Sequence, residues 1–356
     1  MKKILILIIM LMSLSACNDY IEINDLAILS GIIIDYKDDM YEITAQLIIN
    51  DKESNIEVFT TKSSGINEAI AELSKLSNKE VFISHLKVLI LTDNVIKNNI
   101  NFKDYFLRSP KSKMNFYVYL IHEDIKDKVL SIYKENSSSI YLEKMMKFNQ
   151  NVFSSSTPLK FSEYAYYSLE EGHTNIYPKI DIVKNNDKEV LYLSNLITFK
   201  DGKEIELSED ESIFYNIMTN KANKTSLTID CDEDTYSVEI QDIKTKYKLK
   251  KDTLNINTKT NTKIIDYNCK YDLNKKSSIE KLTNLTNNYI ENNMKNLITF
   301  IKKNNTDIIG IGTFIYKHDN KNYKKDYLNT INIETSSNTN ITSIGEIKEW
   351  KRQMKK

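Results

Sequence analysis

Four histidines and three cysteines are the only imidazole and thiol groups in 356 residues. Their spacing decides what chemistry is open to them. Ser84-His85 would be a nucleophile beside its base. Adjacent residues on a strand point to opposite faces, so the two cannot serve one another. His85 reads instead as a hydrogen-bonded structural histidine. His122-Glu123 lacks the second histidine of a zinc-binding helix. His173 and His318 sit in polar stretches with no ligand pattern around them. Asp230-Cys231-Asp232-Glu233-Asp234 starts like a calcium loop, but the sixth position is Thr235 and the twelfth Gln241. The turn glycine and the bidentate glutamate are both missing, which leaves a solvated acidic turn. Gly310-Ile311-Gly312 is followed by Ile315 where a dinucleotide fingerprint has its third glycine. It reads as a tight turn between a long helix and the next strand. Glu170-Glu171 and Glu209-Asp210-Glu211 fall at helix ends, where acids act as caps or solvated faces. Catalytic, metal and cofactor assignments are therefore all none.

Cysteine supplies the one modification signal. Met1-Lys2-Lys3 is a short basic start, and Ile4 to Leu14 is apolar except for Ser13. Leu14-Ser15-Ala16-Cys17 follows. About eleven residues are too few to span a bilayer and the right length for a signal-peptide core. The motif resembles the bacterial lipobox, in which the cysteine becomes the lipidated first residue. Residues 1–16 are then a lipoprotein signal peptide and Cys17 the lipidation site. Two acyl chains on Cys17 would hold the chain to a lipid bilayer, where one chain alone binds reversibly. Cys231 and Cys269, 38 residues apart, are a disulfide or two buried free thiols. Sequence leaves both open.

Composition narrows the rest. Lys+Arg and Asp+Glu are both 49, so the net charge is zero. No global positive field exists for nucleic acid, and no nucleic-acid partner is expected. Seven glycines are few for phosphate-cradling loops. Abundant Ile and Tyr favour strands, and Asn and Lys favour polar connections.

The elements that must position these residues follow from hydrophobic period. Gly31–Ile34 and the alternating run from Tyr41 to Ile49 flank Lys37-Asp38-Asp39, which predicts a hairpin. Ile66, Ala69, Ile70, Leu73 and Leu76 have helical spacing, with Ser63 or Ser64 as cap. Val81–Leu91 and Phe116–Ile121 are continuous apolar strands, with Asp93 capping a helix between them. Helices are predicted at 140–149 and 159–171, the second closed by Gly172. Asn185-Asn186-Asp187-Lys188 is polar enough for a boundary. A strand over 191–199, a turn at Asp201-Gly202 and a helix over 209–220 come next. Four short strands are predicted at 236–240, 245–249, 254–256 and 264–271. A long amphipathic helix over 278–303 precedes short closing strands. The fold class is α+β, with β-sheets packed by helices. The expected organisation is an N-terminal α/β domain over 17–186, a small middle domain over 187–225 and a C-terminal α+β domain over 226–349.

Several segments together resemble the Ger(x)C family of spore germination lipoproteins, the C subunits of nutrient germinant receptors. They are Cys17-Asn18-Asp19, Glu22-Ile23-Asn24-Asp25-Leu26-Ala27 and Gly31-Ile32-Ile33-Ile34-Asp35. Further along stand Glu68-Ala69 with Leu73-Ser74, Ser84 to Ile90, Asp104 to Pro110, and Asp307-Ile308-Ile309-Gly310-Ile311-Gly312. Asn18 stands where the family has Trp, Tyr323 and Tyr327 stand at later Trp positions, and Asn195 stands at a common Gly. The resemblance runs to about Gly345. It implies a three-domain α+β lipoprotein on the outer face of the spore inner membrane. It also implies integral-membrane A and B subunits as partners in nutrient-triggered germination, and no enzymatic activity. The alternatives from other classes are a solute-binding lipoprotein of a transport system and a lipid-anchored hydrolase. The first needs two similar lobes. The second needs a nucleophile–base–acid set.

Overall fold

The computed structural model describes residues 22–50, 54–132, 137–319, 323 and 325–345. The expected signal peptide and Cys17 lie outside the described residues. Asp38 and Asp39 have φ of 52° and 59°. That is the hand a two-residue hairpin turn requires. It joins β1 (Leu26–Lys37) to β2 (Met40–Asn50), and β3 (Ser54–Ser63) completes an antiparallel edge. After Gly65 the period changes and α1 (Ile66–Ser77) buries Ile66, Ala69, Ile70 and Leu73. Its N-cap is Gly65, not a serine; the hydroxyl of Ser64 goes to the Glu68 side chain.

The run expected as one strand over 81–91 is two. β4 (Glu80–Phe82) and β5 (Val88–Thr92) both pair β1 in parallel, at Leu26–Ile28 and Gly31–Ile34. A 3-10 turn at Ile83–His85 separates them. The register of β1 slips between Leu29 and Gly31, and the turn carries the chain past that irregularity. α2 (Asp93–Lys97) and α3 (Lys103–Arg108) lead to β6 (Tyr117–Ile121), parallel to β5. β5 and β6 are buried at every position, as continuous apolar runs in a parallel sheet should be. The helices α4 (Lys126–Val129), α5 (Ser138–Val152) and α6 (Phe161–Tyr167) follow. Leu142 and Met146 of α5 pack on one face of the sheet, and α1, α3 and α6 on the other.

β7 (Ile176–Asn185), β8 (Lys188–Lys200) and β9 (Lys203–Glu206) extend the sheet to nine strands, in the order β3-β2-β1-β5-β6-β7-β8-β9 with β4 beside β1. The boundary expected at 186/187 is the turn of the β7–β8 hairpin. Residues of the expected middle segment form β8, β9 and α7 (Glu209–Met218). Ser208 and Glu211 close a capping box on α7, and Phe214, Ile217 and Met218 enter the core that follows.

That core lies under a four-stranded sheet, β10 (Lys224–Cys231), β11 (Asp234–Lys250), β12 (Thr253–Tyr267) and β13 (Asn332–Ser343). The four short strands expected here are two long ones. The register of β11 slips between Gln241 and Lys244, and Asp242 has φ of 53°, so a bulge reads in sequence as a break. α8 (Lys276–Asn304) covers the sheet with Leu282, Ile290, Met294, Leu297 and Ile301. Gly310 leads into another helix, α9 (Ile311–His318), rather than a strand. A short α10 (Tyr327–Thr330) precedes β13, a single strand parallel to β12. The fold is α+β.

Candidate functional site

The described chain begins at Glu22, five residues after Cys17, and passes through one 3-10 turn (Ile23–Asp25) directly into β1. β1 is an inner strand, with β2 on one side and β4 and β5 on the other. The Lys79 ammonium also holds the Asn24 carbonyl. Any anchor on Cys17 would therefore pull on the centre of the large sheet.

Gly31 to Asp35 owe their types to crowding and charge. A Cβ on Gly31 would stand 2.0 Å from the Ser139 hydroxyl. Only glycine lets α5 come this close. Beside it the buried Gln46 side chain accepts from Ser137 at 2.6 Å and Ser139 at 2.7 Å, and donates to the Leu130 carbonyl at 2.7 Å. Asp35 is 1% exposed and accepts from Lys126 at 2.6 Å and Thr92 at 2.6 Å. Lys126 also meets Glu42 at 2.7 Å. Burial pushes the Asp35 carboxyl up, but Lys126 and Thr92 outweigh it and hold it below its ordinary value. Lys126 is correspondingly raised.

Asp307 to Gly312 form the seam between the two sheets. The buried Asp307 carboxylate accepts from the Ile311 amide at 2.9 Å, the Gly312 amide at 2.7 Å and the Tyr327 hydroxyl at 2.7 Å. Burial pushes its pKa up, and these hydrogen bonds pull it back without cancelling the rise. The Asp307 carbonyl accepts from the Thr174 amide at 2.7 Å. A Cβ on Gly312 would lie 2.5 Å from the Tyr327 ring and 2.7 Å from Gly172 Cα. Gly172, expected to close a helix, instead serves this contact; α6 has already ended at Tyr167. Lys317 pairs with Glu170 at 3.3 Å and with the Tyr166 hydroxyl across the same seam. Glu170 is thus an ion-pair partner rather than a helix cap. Tyr327 spends its hydroxyl on Asp307.

The Asp104–Pro110 segment lines a cavity of about 530 Å³ with Ile70, Val81 and Ile83. Arg108 and Lys111 stand at it, paired with Asp104 at 2.8 Å and Glu80 at 2.6 Å.

The histidines are dispersed. Ser84 and His85 lie in the 3-10 turn, not on a strand, and the Ser84 hydroxyl donates to the Lys111 carbonyl at 2.6 Å. His173 stacks on Tyr167 at 4.2 Å, and burial lowers its pKa to about 4. His318 stacks on Phe314 at 4.0 Å. The Asp230–Asp234 run is the β10–β11 turn, with Lys281 and Lys270 near its acids at 3.7 Å and 3.4 Å. Cys231 and Cys269 form a disulfide, Cα–Cα 5.9 Å. Asn195 lies in ordinary strand backbone, and its side-chain Nδ2 donates to the Glu206 carboxylate at 3.2 Å. One constellation escaped the sequence. His122 Nδ1 is 3.4 Å from Asp93, and Nε2 is 3.5 Å from Glu204. Asp93 is inside α2 rather than its N-cap, which is Thr92. Glu204 stands 82 positions beyond His122, and no local spacing signals the meeting.

Two family models match in tandem. "Spore germination protein N-terminal domain" covers residues 19–182, and "Spore germination B3/ GerAC like, C-terminal" covers residues 194–345. Spore germination protein KC of Bacillus subtilis (strain 168) is 21% identical, over 97% of this chain and 96% of the relative. The crystal structure of the GerBC protein superposes with a TM-score of 0.54 at 15% identity, covering 88% of this chain and 97% of that one. Among the described residues no helix is long and apolar enough to cross a membrane.

Proposed function

The chain belongs to the Ger(x)C family of spore germination proteins, and on that premise we propose that it works as the lipid-anchored C subunit of a germinant receptor. Diacylated Cys17 holds it to the outer face of the spore inner membrane. It acts there through protein–protein contacts with the integral-membrane A and B subunits of the same receptor, and carries out no catalysis of its own. The observation that carries this reading is the tandem match of both spore germination domains across residues 19–345. The short run from Cys17 to β1 supports it. So does the use of the family-like segments: Gly31, Asp35, Asp307 and Gly312 are spent on packing and on joining the two sheets. The solute-binding alternative needs two similar lobes, and a nine-stranded mixed sheet beside a four-stranded one does not supply them.

Affinity purification from detergent-solubilised spore membranes tests the assignment. Two integral-membrane proteins should accompany the chain in comparable amounts. Recovery of the chain alone, at normal membrane abundance, would contradict it. Separately, Cys17→Ala should move the protein from the membrane fraction to the soluble one.

A further inference from the structure

At the junction of α2, the end of β6 and the β8–β9 hairpin, ligand atoms of Asp93, His122 and Glu204 all lie within 4.8 Å of one another. Three separate elements contribute them. The imidazole sits between the two carboxylates, one ring nitrogen toward each. Asp93 is oriented from behind, because the Glu123 amide donates to its Oδ1 at 3.2 Å and leaves Oδ2 facing the cluster. An outer hydrogen bond of this kind fixes the direction of a ligating carboxylate. Burial pushes the Asp93 carboxyl up, but Lys97 and His122 win and hold it below its ordinary value.

The cluster already draws a cation. Lys97 Nζ lies 2.6 Å from Asp93 and 4.0 Å from Glu204. One ammonium stands between two carboxylates, so one negative charge is left over. Glu123 does not share that cation; its own carboxylate goes to Lys37 at 3.1 Å and Asn94 at 2.9 Å. The Lys97 and His122 side chains are 38% and 35% exposed, which gives a path from solvent. A lysine at the last turn of a surface helix can swing into water, because its four-carbon stem is flexible and its ammonium strongly hydrated.

We propose that Asp93, His122 and Glu204 form a binding site for a divalent transition cation of the zinc type, which displaces the Lys97 ammonium and clips the β8–β9 hairpin to α2 and β6. One imidazole nitrogen with two carboxylate oxygens is a borderline donor set. It favours Zn²⁺ or Co²⁺ over Mg²⁺ and Ca²⁺, which take oxygen. Ligand bonds of about 2.0–2.2 Å place tetrahedral ligands roughly 3.4 Å apart. The ligand atoms, within 4.8 Å of one another, therefore need to close by up to about 1.4 Å, with the His122 ring turning to give the ion one nitrogen, and water on the exposed side completes the shell.

The test uses the full chain, purified in detergent, stripped with chelator and titrated with Zn²⁺ by calorimetry. Binding should saturate at one ion per chain. His122→Ala and Glu204→Gln should each weaken it at least tenfold. Lys97→Met should strengthen it several-fold, because the competing ammonium is gone. An ion-pair cluster without metal function would show no such gain. Absence of saturable binding in both the wild type and Lys97→Met would overturn the proposal. So would Zn²⁺ binding that survives His122→Ala and disappears on substituting His85 or His318, which would mark a surface site elsewhere.

Discussion

The two sheets of this molecule are held together by different physics. In the nine-stranded sheet β1, β5 and β6 are parallel and covered by helices on both faces, so most of their residues are apolar. A buried polar group there must find a partner; Asp35 does so in the half-buried Lys126, which it shares with Glu42. In the four-stranded sheet, β10 to β12 alternate buried and exposed residues, one face on α8 and one in water. Among the described residues that sheet has no buried ion cluster, and it is closed by a disulfide. A two-faced core concentrates stability in charge pairing that cannot be left half-made. The one-faced core carries a covalent staple and is covered by a long helix.

The largest break in this contrast comes from Lys126→Met. It leaves Asp35 buried without its cation, while Glu42 keeps Lys62 at 2.6 Å, and should cost about 3–5 kcal/mol. Chemical denaturation should show the loss in the transition of the nine-stranded sheet, and a variant as stable as the wild type would remove the pairing from the account. Next comes the staple. A disulfide closing a loop of 38 residues constrains the unfolded chain by up to about 4 kcal/mol. Replacing Cys231 and Cys269 together by Ser should lower the second sheet's transition and leave the first in place. Gly312→Ala attacks the seam instead. Overpacking against the Tyr327 ring and Gly172 should cost about 1–3 kcal/mol. It should also widen the gap between the two sheets' transitions in a calorimetric scan.

The smallest effect is in pH, and its sign differs between the first sheet and the seam. Asp35 is depressed below 3.8, so its contribution is present above that value and is lost as pH falls through the folded pKa. Asp307 is raised above 3.8, so its buried ionised form costs stability. That cost is relieved as pH falls from the folded pKa towards 3.8. Acid should therefore weaken the first sheet more than the seam. Hydrogen exchange measured between pH 5 and pH 3 resolves the order of loss.

Much of this fold is legible in the chain, and for definite reasons. The α7 start is written locally, as Ser208 with Glu211 three residues on. So are the heptad-like apolar stripe of α8 and the Asp38-Asp39 and Asp201-Gly202 turns. What stays hidden is what depends on distant residues meeting. Lys126 reaches Asp35 across 91 positions. Cys231 finds Cys269 only because the β11–β12 hairpin returns the chain. The His122 cluster needs three elements in place before it exists. The irregularities in β1 and β11 hide differently, since a bulge and a strand end share the same polar residues.

On the proposed function, the protein works as an anchored body held close to its partners by a tether of five residues. At about 3.3–3.6 Å per residue that tether reaches less than roughly 18 Å. The direct measurement is the germination rate of spores in which a long Gly/Ser spacer separates Asn18 from Asp19, with the membrane level of the protein followed by immunoblot. The account predicts germination slowed several-fold at an unchanged protein level, because the effective concentration at the partner subunits falls. Germination at the wild-type rate with the same amount of protein on the membrane would contradict it.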